Sequence, residues 1–403
     1  MNFTKELNFI KKHNLKTPVM FYSEVLAERP SLLIKDHLKE CDIYFAIKSC
    51  YNVPLLRFFV SQNFGAEVMS EFEYNLAKLA KFKRIIVNGL GRPEKFIRKV
   101  LKDKSSTFII DTDRDLDIVK DYLSRNPQKE VSLGIRVRFN VTQDKKKKNH
   151  YLDPLNKLGN YDDSMTYHKF IDLVHTEKRV KWDIIHSHFT INEVNPSVYI
   201  NMLKRIKKHL SFIDKRYGIS PNRIDVGGGF EVYSEKVSKS LKRLFEKLSI
   251  FFQMNFPQKR LVVEPGRFLS AYAGYVIGKV IDIKQVKNKS WLITNIGTNV
   301  LIPNSNARYC LLLPVEVEKG KMIGITDGIT SGTNNVIETA YVTSLPNIDD
   351  YLVIGDVGGY TDVFSTFWGY TPFTTCNYLK SGKIKITRDK KDIDHLSSIF
   401  FKK

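Results

Sequence analysis

Apolar positions along the chain fall into two textures. From about residue 40 to 268, short β-branched and aromatic runs alternate with longer segments whose apolar residues recur every three or four positions. The first pattern marks a strand buried on both faces, the second an amphipathic helix. The strand-like runs are IYFAI (43–47), FGAEV (64–68), RIIVN (84–88), TFIID (107–111), VSLGIRV (131–137), DIIHSHF (183–189), RIDVG (223–227) and RLVVE (260–264). Helical periodicity fills the intervals in EFEYNLAKLAKF, PEKFIRKVLKD, DRDLDIVKDYLSR and YINMLKRIKKHLSFIDKRYG. Eight strands alternating with helices predict an α/β fold built on a (β/α)8 TIM-like barrel rather than an open sheet.

After about residue 270 helical periodicity fades. YAGYVIGKVIDIKQV, SWLITNI, ARYCLLLPVEV, YLVIGDV and GKIKITRD are strand-like and are separated by Gly, Asn, Asp and Pro. They predict a mostly antiparallel β domain, which the early run TPVMFYS (17–23) would join. The expected organisation is a barrel over 27–268, with 1–26 and 269–403 forming the β domain.

Composition narrows the class. A chain of 403 residues with 42% hydrophobic and 27% charged residues is globular, and long enough for two domains. Its longest apolar stretches, such as 309–315, are too short to span a bilayer, and the N-terminus lacks a secretory h-region. A cytoplasmic location is therefore expected, with no membrane partner. Four scattered cysteines, Cys41, Cys50, Cys310 and Cys376, form no C-x-x-C pair and suggest neither a disulfide framework nor a zinc ribbon. The net charge of +21 favours contact with anions, although lysines exposed to water account for much of it. The densest run, at 145–148 in QDKKKKNH, reads as a solvated loop. No nucleic-acid-binding signature accompanies it, so no nucleic-acid polymer is expected as partner.

In such a barrel the chemistry lies where the strands end. Those positions hold Lys48, Glu67, Arg136, His186, His188, the triplet Gly227, Gly228 and Gly229, and then Glu264 and Arg267. A lysine leaving an apolar strand has a lowered pKa and can condense with an aldehyde, though a lone lysine is ordinarily a surface residue. A glycine triplet lets backbone amides approach a phosphate, or simply makes a tight turn. Glu264 beside Arg267 could hold a protonated ring nitrogen and an anion, or form a plain salt bridge. His186 and His188, two apart on a predicted strand, would face the same way. They could form half of a metal site, but spacing places no third ligand, so no metal is expected. Stacking of one of them on a flat ring is the better reading.

In order and spacing the motifs FAIKS at Lys48, GAEVMSEFEY from Gly65, NGLGRPEKFI from Asn88, GIRV at Arg136, NKLG at Lys157, IHSHF at His188, DVGGGF at Gly227, EPGRF at Glu264 and GDVGGYTDVFSTFWGY at Tyr360 run through nearly the whole chain. This set resembles the fold-type III pyridoxal-phosphate decarboxylases, the group of the ornithine and diaminopimelate decarboxylases, which share an alanine-racemase-like barrel. The resemblance implies pyridoxal 5'-phosphate as cofactor and α-decarboxylation of an amino-acid group. It implies that Lys48 is the Schiff-base lysine and that His188 stacks on the ring. Gly227, Gly228, Gly229, Arg267 and Tyr360 would bind the phosphate, and Glu264 would pair with the pyridine nitrogen. Arg136 and Glu67 would support the ring and the lysine. A head-to-tail homodimer, with Tyr360 reaching from the β domain, is implied as well.

Three departures bear on the substrate. In GITSGTNN (328–335), Ser331 stands where the family has its cysteine general acid, and Gly332 and Asn335 replace two acids. Ser331 would have to relay a proton from Lys48, water or Cys310. The family's histidine-glycine-serine turn reads His188-Phe189-Thr190-Ile191. The specificity segment LIPNSNARYC (301–310) carries no acid to receive a distal ammonium. A bulky conjugate is therefore expected as substrate. The best match is a microcin C-type maturation decarboxylase, which acts on the 3-amino-3-carboxypropyl group of a peptidyl-nucleotide and can be one domain of a longer protein. The alternatives are a siderophore- or polyamine-pathway decarboxylase, an amino-acid racemase, which Glu264 argues against, and a non-catalytic decarboxylase-like regulator.

Overall fold

The computed structural model describes residues 2–139, 156–301, 309–328, 335–367 and 372–389. Two compact units share the chain: Ser31–Lys48 with Leu56–Gly266, and Met1–Pro30 with Ser49–Leu55 and Arg267–Lys403.

The first unit is a closed parallel barrel. Its strands are Cys41–Ala46, Gly65–Val68, Ile85–Val87, Ser106–Ile110, Val131–Arg138, Val180–His186, Arg223–Asp225 and Arg260–Val263. Each pairs in parallel with the next, and Leu261 opposite Cys41 closes the ring. Helices cover the outside, so the strands are buried on both faces and read as nearly continuous apolar runs. Tyr44, Ile86, Ile109, Ile184 and Val262 pack together as a buried cluster. Tyr44 fits because the neighbouring strand offers a glycine: a Cβ on Gly65 would lie 2.5 Å from its ring.

The strand starts are closed by paired charges. Arg223 binds Asp183 and the Tyr44 hydroxyl, while Asp42 accepts from Arg84 and Arg260, each at 3.0 Å. Interior charges persist only when paired in this way, and this end of the barrel is thereby committed to stability. The helix Asp113–Arg125 keeps the bounds of its sequence pattern because Thr112 and Asp115 form a capping box. Asp115 also takes the buried Arg92 guanidinium at 2.9 Å.

Two strand ends differ from expectation. The first strand stops at Ala46, and Lys48 sits on a 3-10 turn, Ile47–Ser49. The run predicted over 183–189 is a strand over Val180–His186, so His186 and His188 do not share a strand face. The cause is the neighbouring strand. It pairs through His186 opposite Asp225 and then gives way to the glycine turn, leaving the ladder nothing to continue on.

The second unit is built on a mixed sheet. Its strands run in the order Ile337–Val342, Glu316–Thr326, Lys289–Thr294, Gly274–Val286, Val19–Ser23, Thr374–Tyr378 and Ile384–Arg388. Tyr351–Gly355 also pairs with Gly274–Val286, and Cys310–Leu313 pairs with Tyr351–Gly355. Most pairings are antiparallel, but Val19–Ser23 lies parallel to Thr374–Tyr378, and Lys289–Thr294 parallel to Glu316–Thr326. Helix Thr4–Lys12 packs its buried Ile10 into a core with Val19, Phe21, Tyr275, Ile277 and Val353. Among the described residues no helix is long and apolar enough to cross a membrane.

Candidate active site

The C-terminal ends of the barrel strands gather most of the titratable groups singled out above. Lys48 Nζ lies 2.6 Å from Glu67 Oε2; Glu67 is buried, whereas the lysine side chain keeps 32% of its surface exposed. Burial pushes the Glu67 carboxyl up to about 7, against the opposing pull of the Lys48 ammonium. The amine is thus held at one end by a buried acid and reachable from outside.

Glu264 directly follows the last barrel strand and is also buried. Its Oε2 lies 3.3 Å from His186 Nε2, and the Asn88 amide lies 3.3 Å from that same nitrogen. Burial drives His186 towards its neutral form, so it serves Glu264 as an N–H donor rather than as a cation. Burial would also raise the Glu264 pKa, but His186, Lys48 and the neighbouring Asp225 carboxyl outweigh it and hold the group below the ordinary range.

Asp225, last residue of the seventh barrel strand, is fully buried. Its Oδ1 accepts the Gly227 N–H at 2.8 Å. Burial and then the neighbouring Glu264 charge raise its pKa well above the carboxylate range. One imidazole nitrogen of His186 and one carboxyl oxygen each of Asp225 and Glu264 lie within 4.8 Å of one another. Asp225 was not singled out from sequence, although an aspartate two positions ahead of a glycine triplet was the available signal.

The glycine turn is built by close approach. Gly227 and Gly229 have φ of 70° and 82°, in the left-handed region. A Cβ on Gly227 would lie 2.3 Å from His188 Nδ1, so glycine lets the imidazole lie against the turn. Burial drives His188 neutral, down to about 3. The Thr190 hydroxyl, in the unusual His-Phe-Thr-Ile turn, donates to the Gly228 carbonyl at 3.1 Å. Tyr199 OH donates to the same carbonyl at 2.9 Å, so both hydroxyls tie this turn to the glycines.

Arg136 is buried and its charge disfavours protonation of both histidines. It also faces Asp111, whose carboxyl burial pushes up to about 6 and which accepts the Gly159 N–H at 3.0 Å. The structure thus brings Lys48, Glu67, Arg136, His186, His188, the glycine turn and Glu264 to one end of the barrel. In the other unit, the Arg267 guanidinium lies 4.7 Å from the Tyr360 ring centroid. Tyr360 has a φ of 63°, and its N–H donates to the Ser49 carbonyl at 2.7 Å. Ser331, Gly332, most of the specificity segment and the lysine run 145–148 lie outside the described residues.

Comparison with known proteins gives a consistent result. The family described as "pyridoxal-dependent decarboxylase, pyridoxal binding domain" matches residues 27–271. Diaminopimelate decarboxylase of Aquifex aeolicus is 21% identical over 393 residues, covering 94% of this chain and 90% of that protein. The L-glutamyl-[BtrI acyl-carrier protein] decarboxylase of Niallia circulans is 25% identical over 266 residues, covering 63% of this chain and 60% of the relative. The crystal structure of diaminopimelate decarboxylase from Methanocaldococcus jannaschii superposes with a TM-score of 0.80 at 20% identity, covering 96% of this chain and 91% of that one. The chain belongs to the pyridoxal-dependent decarboxylases and is a pyridoxal-phosphate-dependent carboxy-lyase acting on an amino-acid group.

Proposed function

We propose that the chain removes the α-carboxylate from an amino-acid head group carried on a larger anionic conjugate, with Lys48 as the anchor of the cofactor. The observation that carries the chemistry is the buried Glu264 carboxyl, with His186 Nε2 3.3 Å from it, at the same strand ends as the Lys48 amine. These residues fit pyridoxal phosphate: a buried acceptor suits its ring nitrogen, a half-buried amine its aldehyde, and a glycine turn its phosphate. When bound, pyridoxal phosphate supplies the electron sink for the electron pair left as CO₂ departs.

The remaining roles belong to the chain itself. Glu67 holds the Lys48 ammonium and accepts or returns its proton as the amine reacts. His188, neutral and packed on Gly227, offers a flat face to the ring. Gly227, Gly228 and Gly229, with Arg267 and Tyr360, bind the phosphate, and Arg136 supports the ring side. Ser331 returns a proton to Cα. A second copy of the chain completes the site, as in a symmetric homodimer.

Arg267→Ala and Tyr360→Phe are expected to weaken cofactor retention. A charge-assisted hydrogen bond contributes roughly 1.5–3 kcal/mol, so the arginine variant should lose about tenfold or more in affinity. Dialysis followed by titration with pyridoxal phosphate measures this. Unchanged affinity in both variants would remove them from the phosphate site.

The conjugate reading draws on sequence. Gly332 and Asn335 replace acids, 301–310 has none, and the chain carries +21. A relative named for a glutamyl group on an acyl-carrier protein supports a head group presented on a carrier. The specific substrate proposed is a nucleotide-linked 3-amino-3-carboxypropyl group. The names of several relatives favour a second reading, free diaminopimelate. Because neither segment supplies an acid to pair with a distal ammonium, free diamino acids should react slower by on the order of 10²-fold. Assays of CO₂ release should therefore show little activity on diaminopimelate, ornithine or lysine. The nucleotide conjugate should be turned over with an apparent affinity that falls as salt rises. Efficient turnover of diaminopimelate, with none of the conjugate, would establish the second reading instead.

A further inference from the structure

Asp225 ends one barrel strand and Glu264 directly follows the adjacent one, the two paired in the register Val262 opposite Asp225. Neither Asp225 Oδ2 nor Glu264 Oε1 meets an N–H or O–H donor at a fixed position, although both are buried. An oxygen of each carboxyl lies within 4.8 Å of one of the other. Two carboxylates this close and away from water are not both charged; one holds a proton that it can donate to the other.

The surroundings decide which. Glu264 receives the His186 N–H and lies near the Lys48 ammonium, so negative charge is favoured there. Asp225 receives only the Gly227 N–H and faces the carboxylates of Glu264 and Glu67. Cys41 also senses it, with burial keeping that thiol protonated, and His186, within 4.8 Å, is driven towards its neutral form by burial. The proton therefore resides on Asp225. Were it on Glu264 instead, that group would donate to a pyridine nitrogen rather than accept from it, and the ring would stay uncharged.

We propose that Asp225, in its neutral acid form, is a positioning residue for Glu264: the hydrogen bond it donates orients that carboxylate and keeps it an acceptor for the cofactor's ring nitrogen, while its other oxygen fixes Gly227 at the head of the glycine turn. This rests on the reading of Glu264 as the ring-nitrogen partner. One buried proton thereby links the electronic state of the ring to the shape of the phosphate turn.

The test uses the full chain loaded with pyridoxal phosphate labelled with ¹⁵N in the ring, whose chemical shift reports protonation of that nitrogen directly. Asp225→Asn can still accept from Gly227 and donate to Glu264 but cannot ionise, and it should keep the protonated signal. Asp225→Ala removes the donor and makes the Glu264 carboxylate the stronger base; loss of one hydrogen bond of about 1.4 kcal/mol should shift the proton shared with the ring nitrogen about tenfold towards Glu264 and weaken the protonated signal. Glu264→Gln is the reference and should show the unprotonated nitrogen. A carboxylic-acid C=O stretch that disappears from the infrared spectrum in Asp225→Asn, with or without cofactor, is expected independently of how well Asp225→Ala folds. An unprotonated nitrogen in Asp225→Asn, an undiminished protonated signal in Asp225→Ala, or absence of that acid band would overturn the proposal while leaving Glu264 in place. A protonated nitrogen in Glu264→Gln would overturn the underlying reading, and this proposal with it.

Discussion

Lys48→Ala is expected to leave a folded protein that attaches no cofactor covalently and turns over at least about 10³-fold more slowly than its parent. The amine is the anchoring group in our reading, and among the described residues it is the lysine held against a buried carboxylate at the strand ends, 2.6 Å from Glu67. Borohydride reduction followed by mass spectrometry reads the attachment without reference to activity: the parent should gain the mass of the cofactor and the variant should not. The substitution also strands Glu67 in the interior without its cation. Burial already sets that carboxyl at about 7 against an ordinary 4.5, so the folded state binds its proton more tightly than the unfolded chain. Its contribution to stability is complete below the unfolded value and is lost as pH rises through the folded one. With the ammonium gone, the Lys48→Ala protein should therefore lose more stability than its parent on the alkaline side of neutrality. Thermal unfolding across pH measures the difference. A variant with parental turnover would remove Lys48 from the anchoring role.

Glu264→Gln should keep the cofactor bound while kcat falls about 10²- to 10³-fold, the range found when one preorganised electrostatic partner of a transition state is removed. Glu264 is a buried acceptor held below its ordinary pKa, with His186 Nε2 3.3 Å from one oxygen and the Asp225 carboxyl within 4.8 Å. The amide puts an N–H₂ where an acceptor is needed and leaves no negative charge to hold a proton on a pyridine nitrogen. The damage should fall on kcat rather than KM, because the charge matters most when the electron pair moves onto the ring. An unchanged kcat would point to a ring that works without its proton, as in a racemase-like arrangement.

Only the tertiary structure assigns His186 and His188 to different tasks. Spacing alone put them on one strand face. The ladder breaks at the Asp225 register instead, so His186 reaches Glu264, whereas His188 packs on Gly227. The same break explains why glycines follow Asp225: the turn must pass within 2.3 Å of an imidazole where any Cβ would lie.

What the sequence determined by itself was whatever depends on neighbours close along the chain. Apolar runs buried by flanking helices announced the eight barrel strands. A capping box at Thr112 and Asp115 set the start of Asp113–Arg125, and motifs at strand ends marked Lys48, Glu67, the glycine turn and Glu264. The tertiary structure decided what depends on partners distant in sequence. Val19–Ser23 lies between Gly274–Val286 and Thr374–Tyr378, antiparallel to one and parallel to the other, and no local pattern encodes that choice. Nor does any local pattern say that Asp225 keeps its proton. That follows only when barrel closure sets it beside Glu264 in the dry interior, where Coulomb repulsion and lost hydration forbid a second charge.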